Sequence, residues 1–242
     1  MISVIEVYNA VRDLANKDQK GFVTPQVFNS FASIAQIAVY NSIFEQLAPA
    51  HTMRNRGNDA ARGDSALNGV KDDLAQYVRE EILDGSSERS LNYDNNLFAF
   101  PSDFKKMISL RVANDDRTSI ALVYDPEKIG YIMGSHLSSP AEQYPVALVA
   151  DSLEVFPSDI NSVVMTYYRT PCAFDVFGNK EYGSLPKIVV QGTENVDGMF
   201  VIDPANTKNF ALPSHYREDV INEIARMVGV RLRDPNLLAQ AQ

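Results

Sequence analysis

Between Ile2 and Leu14 the apolar residues Ile2, Ile5, Val7, Tyr8, Val11 and Leu14 recur at helical spacing, and the polar run from Asn16 to Gly21 interrupts them. The pattern predicts a short amphipathic helix followed by a turn. Thr24 then stands where a helix N-cap belongs, with Pro25 at the first helical position and Val23 and Phe28 placed as a hydrophobic staple. A long helix is predicted from Pro25 to about Leu47. It carries no charged residue between Phe22 and Phe44, and Val27, Phe28, Phe31, Ile34, Ala35, Ile37, Ala38, Val39 and Ile43 cover more than one of its faces. Such a helix is expected to be buried from several sides, by its own domain or by neighbouring subunits. Gln26, Asn29, Ser30, Ser33, Gln36 and Asn41 argue against a membrane span, because each would lose its hydration in the bilayer.

Residues His51 to Ser65 are polar, hold two glycines and three arginines, and show no periodicity. They predict a long exposed loop, mobile in an isolated subunit and ordered by a neighbour. A helical stripe returns with Leu67, Val70, Leu74, Val78 and Ile82, capped by Asp64 or Ser65 and ended by Asp84-Gly85-Ser86-Ser87. The period then shortens. Strands are predicted at 97–100, 107–112, 119–123, 145–150, 153–156, 163–168, 187–191 and 199–202, from runs rich in β-favouring residues bounded by turn signals. Asp125 and Pro126 open one short helix among them. Pro213-Ser214 opens a closing helix with Tyr216, Val220, Ile221, Ile224, Ala225 and Val228 on one stripe and Gly229 near its end, and Asp234-Pro235 starts a last short one. Helices, then strands, then helices predict an α+β protein: a helical domain from 1–95 and 206–242, with an antiparallel β domain, 96–205, inserted in it.

Composition narrows the function classes. The chain has 242 residues, 45% of them hydrophobic, so it can bury a sizeable core. Its formal charge of −9 opposes adhesion to nucleic acid or to an anionic membrane. The same charge suits a surface that DNA slides past, although solubility alone also accounts for it. One cysteine, Cys172, allows neither an intrachain disulfide nor a cysteine-based metal site. The N-terminal stretch lacks the basic flank, apolar run and cleavage site of a signal peptide, so synthesis and use in cytoplasm are expected.

The strongest local motif is the run from Asn16 to Val27, which imitates a calcium-binding loop with Asp18 third, Gly21 sixth and Val23 eighth. Lys20 stands at position five, where an oxygen donor belongs, and Val27 at position twelve, where a bidentate carboxylate belongs; no calcium is expected there. His51, His136 and His215 are too scattered for metal-ligand spacing, and no nucleotide-binding or nucleophile-elbow motif occurs. Cys172, between Pro171 and Ala173, is expected to be a small, partly buried apolar residue rather than a nucleophile. The aromatics Phe98, Phe100 and Phe104, then Tyr167, Tyr168, Phe174 and Phe177, lack an interleaved basic stripe and are expected in the core rather than stacked on bases or sugars. Arg54, Arg56 and Arg62 form the notable cationic group and are candidates for a docking arm toward an acidic neighbour. Leu237 and Leu238 near the C-terminus join them as candidate subunit or partner contacts.

Three stretches carry a family resemblance. Asn16 to Leu47 (NKDQKGFVTPQVFNSFASIAQIAVYNSIFEQL), Ser138 to Pro171 (SSPAEQYPVALVADSLEVFPSDINSVVMTYYRTP) and Leu212 to Ala241 (LPSHYREDVINEIARMVGVRLRDPNLLAQA) cover roughly two fifths of the chain. Together, in this order, they resemble virion structural proteins of phages of Bacteroidetes, including the crAss-like group. The likeness lies in an opening helix, turn and Pro-started helix; in Tyr-Pro, a strand, a strand ending in Phe/Tyr-Pro and a strand ending in Tyr-Arg-x-Pro; and in a closing helix with an Asp-Pro terminus. One departure stands out: after Pro171 many relatives look like Pro-Lys-Trp, whereas this chain has Cys172-Ala173-Phe174 and no tryptophan anywhere.

The resemblance implies a non-enzymatic ring subunit of the head-to-tail connector, in the neck or tail barrel, without cofactor or metal. It implies a homo-oligomeric ring, by resemblance a dodecamer, that meets the portal protein or other ring and tail proteins while DNA passes through the channel without specific binding. The expected location is the virion, after assembly in the host cytoplasm. Tyr144-Pro145, Phe156-Pro157 and Pro171 would fix strand ends, because proline cannot continue a ladder. Two other classes compete: a tail-associated module that binds a host receptor, and an unrecognised hydrolase. A receptor-binding module is expected to end in a β-rich distal domain, whereas this chain closes with helices, and a hydrolase would need a convergent polar pocket.

Overall fold

The structure, a computed structural model, describes residues 1–17, 23–55, 60–84, 97–113, 115–137, 139–175, 179–181, 183–191 and 201–232. Its helices are α1 (Val4–Lys17), α2 (Pro25–Asn55), α3 (Ala60–Ala75), α4 (Pro126–Met133) and α5 (Arg217–Leu232). The principal strands are β1 (Val78–Asp84), β2 (Leu97–Phe98), β3 (Phe104–Val112), β4 (Asp115–Ser119), β5 (Ala121–Val123), β6 (Val146–Val149), β7 (Leu153–Phe156) and β8 (Ser162–Arg169). The protein is thus α+β, with helices toward both ends and a central β region.

The chain forms two compact units: Met1–Ala75 with Pro171–Gln242, and Gln76–Thr170. The borders lie at 75/76 and 170/171 rather than at the expected 95/96 and 205/206. β1 pairs along its whole length with β8, which draws 78–84 into the β unit. The stretch after Thr170 instead supplies main-chain partners to α2, which draws it into the helical unit.

In the helical unit α2 packs against α3 and α5, and α1 against α5. The entry to α2 follows the local reading: Thr24 Oγ1 accepts from the Val27 amide at 3.3 Å, and Val23 and Phe28 are both buried. A cap of this kind is worth about 1 kcal/mol. Tyr8 of α1 donates its hydroxyl to the Val23 carbonyl at 3.2 Å and meets the Phe28 ring edge-on at 5.1 Å, so α1 holds the start of α2. Phe28, Ala32, Ala35, Val39, Ile43 and Leu47 then recur every three or four residues as one buried row. Among the described residues the other side of α2 is not covered: Ile34 is 53% and Ile37 44% exposed. The helix's own unit thus buries one broad face of α2, and the neighbouring-subunit part of the expectation concerns the other face.

His51 to Asn55 complete α2 and 60–65 begin α3, so the predicted long loop is mostly helix, and 56–59 lie outside the described residues. Alanine and arginine are strong helix formers at 60–62, and α2 and α3 pack together, so a weak apolar stripe does not prevent helix there. α2 even continues through Pro49, which leaves the Glu45 carbonyl without its intrahelical donor. The helix predicted to reach Leu83 stops at Ala75, and Val78 to Asp84 is a strand. Val78 and Ile82 are four apart, and an even spacing shares a face in a strand as readily as an i,i+4 pair does in a helix.

The β unit holds two four-stranded sheets, in the orders β1-β8-β3-β4 and β2-β7-β6-β5. Leu83, Met107, Leu110, Val163, Met165 and Tyr167 from the first form a common core with Phe98, Ala147, Leu153 and Val155 from the second. The pairing is not wholly antiparallel, because β5 and β6 run parallel, Ala121 opposite Val146. Parallel neighbours need a crossover, and α4 lies in it. Asp125 caps α4 as predicted, accepting from the Glu127 amide at 3.0 Å, and Pro126 fills the first turn. β6 begins directly after Pro145, β7 ends at Phe156 before a cis Phe156–Pro157 bond, and β8 ends two residues before Pro171. The prolines singled out in the sequence thus flank strand ends.

Short ladders complete the helical unit. β9 (Ala173–Phe174) pairs with β10 (Lys180–Glu181), and β11 (Val190–Gln191) with β12 (Val201–Ile202). β9 and β10 carry no pattern of their own in the sequence.

Candidate functional site

The backbone of Arg54 lies in the last turn of α2 and that of Arg62 in the first turn of α3, while Arg56, Leu237 and Leu238 lie outside the described residues. Residues 18–22 of the calcium-loop imitation are outside them as well.

The feature with the clearest chemistry is α2 itself, whose two faces do different work. On the buried side Asn29 and Gln36, seven residues apart, use their amide groups on the main chain of segments that no ladder satisfies. Asn29 Oδ1 accepts from the Ile188 amide at 2.7 Å, and Asn29 Nδ2 donates to the Ile188 carbonyl at 2.9 Å. Gln36 Oε1 accepts from the Ala211 amide at 2.8 Å, and its Nε2 donates to the Cys172 carbonyl at 3.5 Å. Each amide thereby imitates one rung of a sheet and fastens an irregular strand to the helix. Gln36 is fully buried, so these bonds replace its lost hydration. Asn209 adds a related tie, with Oδ1 accepting from the amide of Val4, the first residue of α1.

On the solvent side Gln26, Ser30, Ile34 and Ile37 follow one another along the helix surface, all exposed. The absence of charge from 23 to 43 extends along this face for about six turns. Solvated helix faces ordinarily carry charged side chains, so an uncharged row with two isoleucines has the composition of a protein contact.

Other polar clusters read as structural. Tyr167 is buried, and its hydroxyl lies 2.8 Å from Asp103 Oδ1 and 3.1 Å from Glu81 Oε2, while Arg79 Nη1 meets Asp103 Oδ2 at 3.1 Å. Phe104 packs on Phe100 at 4.4 Å and on Tyr167 at 5.7 Å, which places this aromatic group against the core. Tyr216 donates to Asp73 Oδ2 at 2.9 Å, and His215 Nε2 lies 3.1 Å from Asp73 Oδ1. Burial, and next the bond to Asp73, push the Tyr216 hydroxyl well above its ordinary pKa, so it stays a donor. Asp203 accepts from Asn206 Nδ2 at 2.8 Å and from the Ala205 amide at 3.0 Å. The Asn206 bond is the main reason its carboxyl titrates below the usual range, as a turn-forming carboxylate does. Cys172 is buried and unbonded to sulfur.

An open cleft of about 430 Å³ on the β unit is lined by Val112, Thr118, Glu142, Asp159, Ile160, Asn161 and Ser162. Among the described residues no group of three or more His, Cys, Asp or Glu could hold a metal ion, and no helix is long and apolar enough to cross a membrane. Sequence reasoning found the charge-free stretch of α2 but not its division of labour. The signal was two amide residues seven positions apart in a helix without charges. No known protein family and no curated protein matches the chain.

Proposed function

We propose that this chain is a structural ring subunit of the head-to-tail connector of a tailed-phage virion, packed copy to copy around the channel through which DNA leaves. The observation that carries the reading is the uncharged solvent face of α2, with Ile34 and Ile37 exposed over a helix that bears no charge from 23 to 43. In the three-stretch resemblance this helix is the family's Pro-started helix. A heterologous contact between one copy's α2 face and another surface of the next copy closes a ring whenever the rotation permits. The portal protein or other ring and tail proteins are the partners above and below. The net charge of −9 favours sliding over binding where acids face the channel. No catalytic step is assigned. Labelling intact virions with an antibody against the chain tests the assignment: label is expected at the collar between capsid and tail. Label at distal fibre tips would refute it in favour of receptor binding.

A further inference from the structure

The cleft on the β unit is built by segments whose main chain is fixed from within. β3 ends at Val112 and β8 begins at Ser162, and the Ser162 carbonyl accepts from the Ala113 amide at 3.1 Å beside the Val112–Val163 pair. Asp159, Ile160 and Asn161 come from the turn between β7 and β8, where the Ile160 amide donates to the Pro157 carbonyl at 3.3 Å. Glu142 stands in the turn that the Tyr144 amide closes on the Ala141 carbonyl at 2.9 Å. Ile160 belongs to the buried core of the unit and Val112 packs against that core, so the floor of the cleft is apolar. Its walls are polar, made by Thr118, Glu142, Asp159, Asn161 and Ser162.

The chemistry of the lining selects the ligand. Glu142 and Asp159 bring two carboxylates, and among the described residues no lysine, arginine or histidine lines the cleft beside them. Among the described residues the side chains of Glu142, Asp159, Asn161 and Ser162 make no hydrogen bond or ion pair, so their acceptor oxygens are open. A phosphate or carboxylate ligand would be repelled there. No described aromatic ring lines the cleft to stack on a sugar. Two carboxylates also fall short of a set of three acidic, His or Cys ligands, and no such set occurs among the described residues. The group that fits is an organic cation: ammonium and guanidinium offer only N–H donors, and the methylenes that carry them lie favourably on an apolar floor. The volume of about 430 Å³ is within the range of small-ligand sites. The net charge of −9 further draws cations to the surface. We infer that this cleft binds an alkylammonium or guanidinium group, its charge on Glu142 and Asp159 and its stem on Val112 and Ile160. The inference stands apart from the ring reading. The group has two possible sources, a free polyamine or a lysine or arginine side chain of a partner.

Isothermal titration calorimetry of the full chain at low ionic strength tests it, with putrescine as one probe and the blocked peptide acetyl-Gly-Arg-Gly-amide as the other. Binding is expected with a Kd on the order of a millimolar, because ion pairs open to solvent are individually weak. The tighter probe names the source: putrescine a free polyamine, the peptide a partner's side chain. Glu142→Gln with Asp159→Asn should weaken that binding at least about tenfold, through loss of both charge-assisted bonds. The melting temperature should not change, since both side chains are exposed and bonded to nothing among the described residues. Glu127→Gln removes an exposed carboxylate of the same unit outside the lining and should leave binding unchanged. Equal weakening by Glu127→Gln, or binding that survives the loss of both cleft carboxylates, would reduce the effect to general attraction by a negative chain and overturn the site. Absence of binding by both probes, or tighter binding of calcium than of either, would overturn it as well, and none of these results bears on the ring assignment.

Discussion

Replacing Gln36 by leucine lowers the stability of the helical unit by about 2–4 kcal/mol, although leucine is apolar and of similar size. The Ala211 amide and the Cys172 carbonyl lose their side-chain partner in a site closed to water. A buried main-chain group left unsatisfied costs about 1–3 kcal/mol, and the Cys172 bond, being 3.5 Å long, contributes the smaller part. Ser30→Ala on the exposed side of the same helix should change stability by less than about 0.5 kcal/mol. Urea unfolding followed by far-UV circular dichroism gives the comparison. Hydrogen exchange localises the loss, because the Ala211 amide should lose protection in the leucine variant first. Equal stability of the two variants would show that the amide contacts do not fasten the strand to α2.

Ile34→Asp combined with Ile37→Asp has its large effect elsewhere. Both side chains are about half exposed, so the folded monomer gives up little, and the melting temperature of the dissociated chain should shift by only a few degrees. In an assembled ring the same carboxylates would be buried without partners at the subunit contact, and the assembly constant should fall by roughly a hundredfold or more. Concentration series by mass photometry separate the two effects. A double variant that assembles like the wild type would place α2 outside the subunit contact.

How far the fold was readable depends on the distance over which each feature is decided. The Thr24 cap, the Asp125-Pro126 start of α4 and the prolines beside the strands depend on residues within a few positions, and the structure shows them as read. Val78 and Ile82 are ambiguous by arithmetic, since four is both nearly one helical turn and an even strand spacing. Only the pairing of β1 with β8, some eighty residues on, resolves it. The polarity of the stretch after His51 predicts a loop, yet Ala60–Ala75 is one helix packed on α2. Polarity reports what a surface faces, not whether its backbone is helical. β9 is two residues long and exists through its pairing with β10, which no periodicity announces.

The surfaces were harder still. Gln36 reaches main chain 136 and 175 positions away, and Asn29 reaches it 159 away, so their polar character was visible while their partners were not. Arg54, Arg56 and Arg62 stand out in the sequence by their charge, whereas the exposure of uncharged Ile34 and Ile37 and of Tyr131, Leu137 and Tyr144 is visible only in the structure. In a sequence, an apolar residue destined for a neighbouring subunit looks like one destined for its own core.

Imaging of the necks of intact virions, with rotational symmetry determined without imposing it, bears most directly on the ring assignment. The chain is expected in a closed ring between capsid and tail, twelve-fold by resemblance, with α2 at the contact between adjacent copies and DNA in the bore. A two-fold or three-fold oligomer in the mature particle, or density for the chain at the distal end of a fibre, would contradict it.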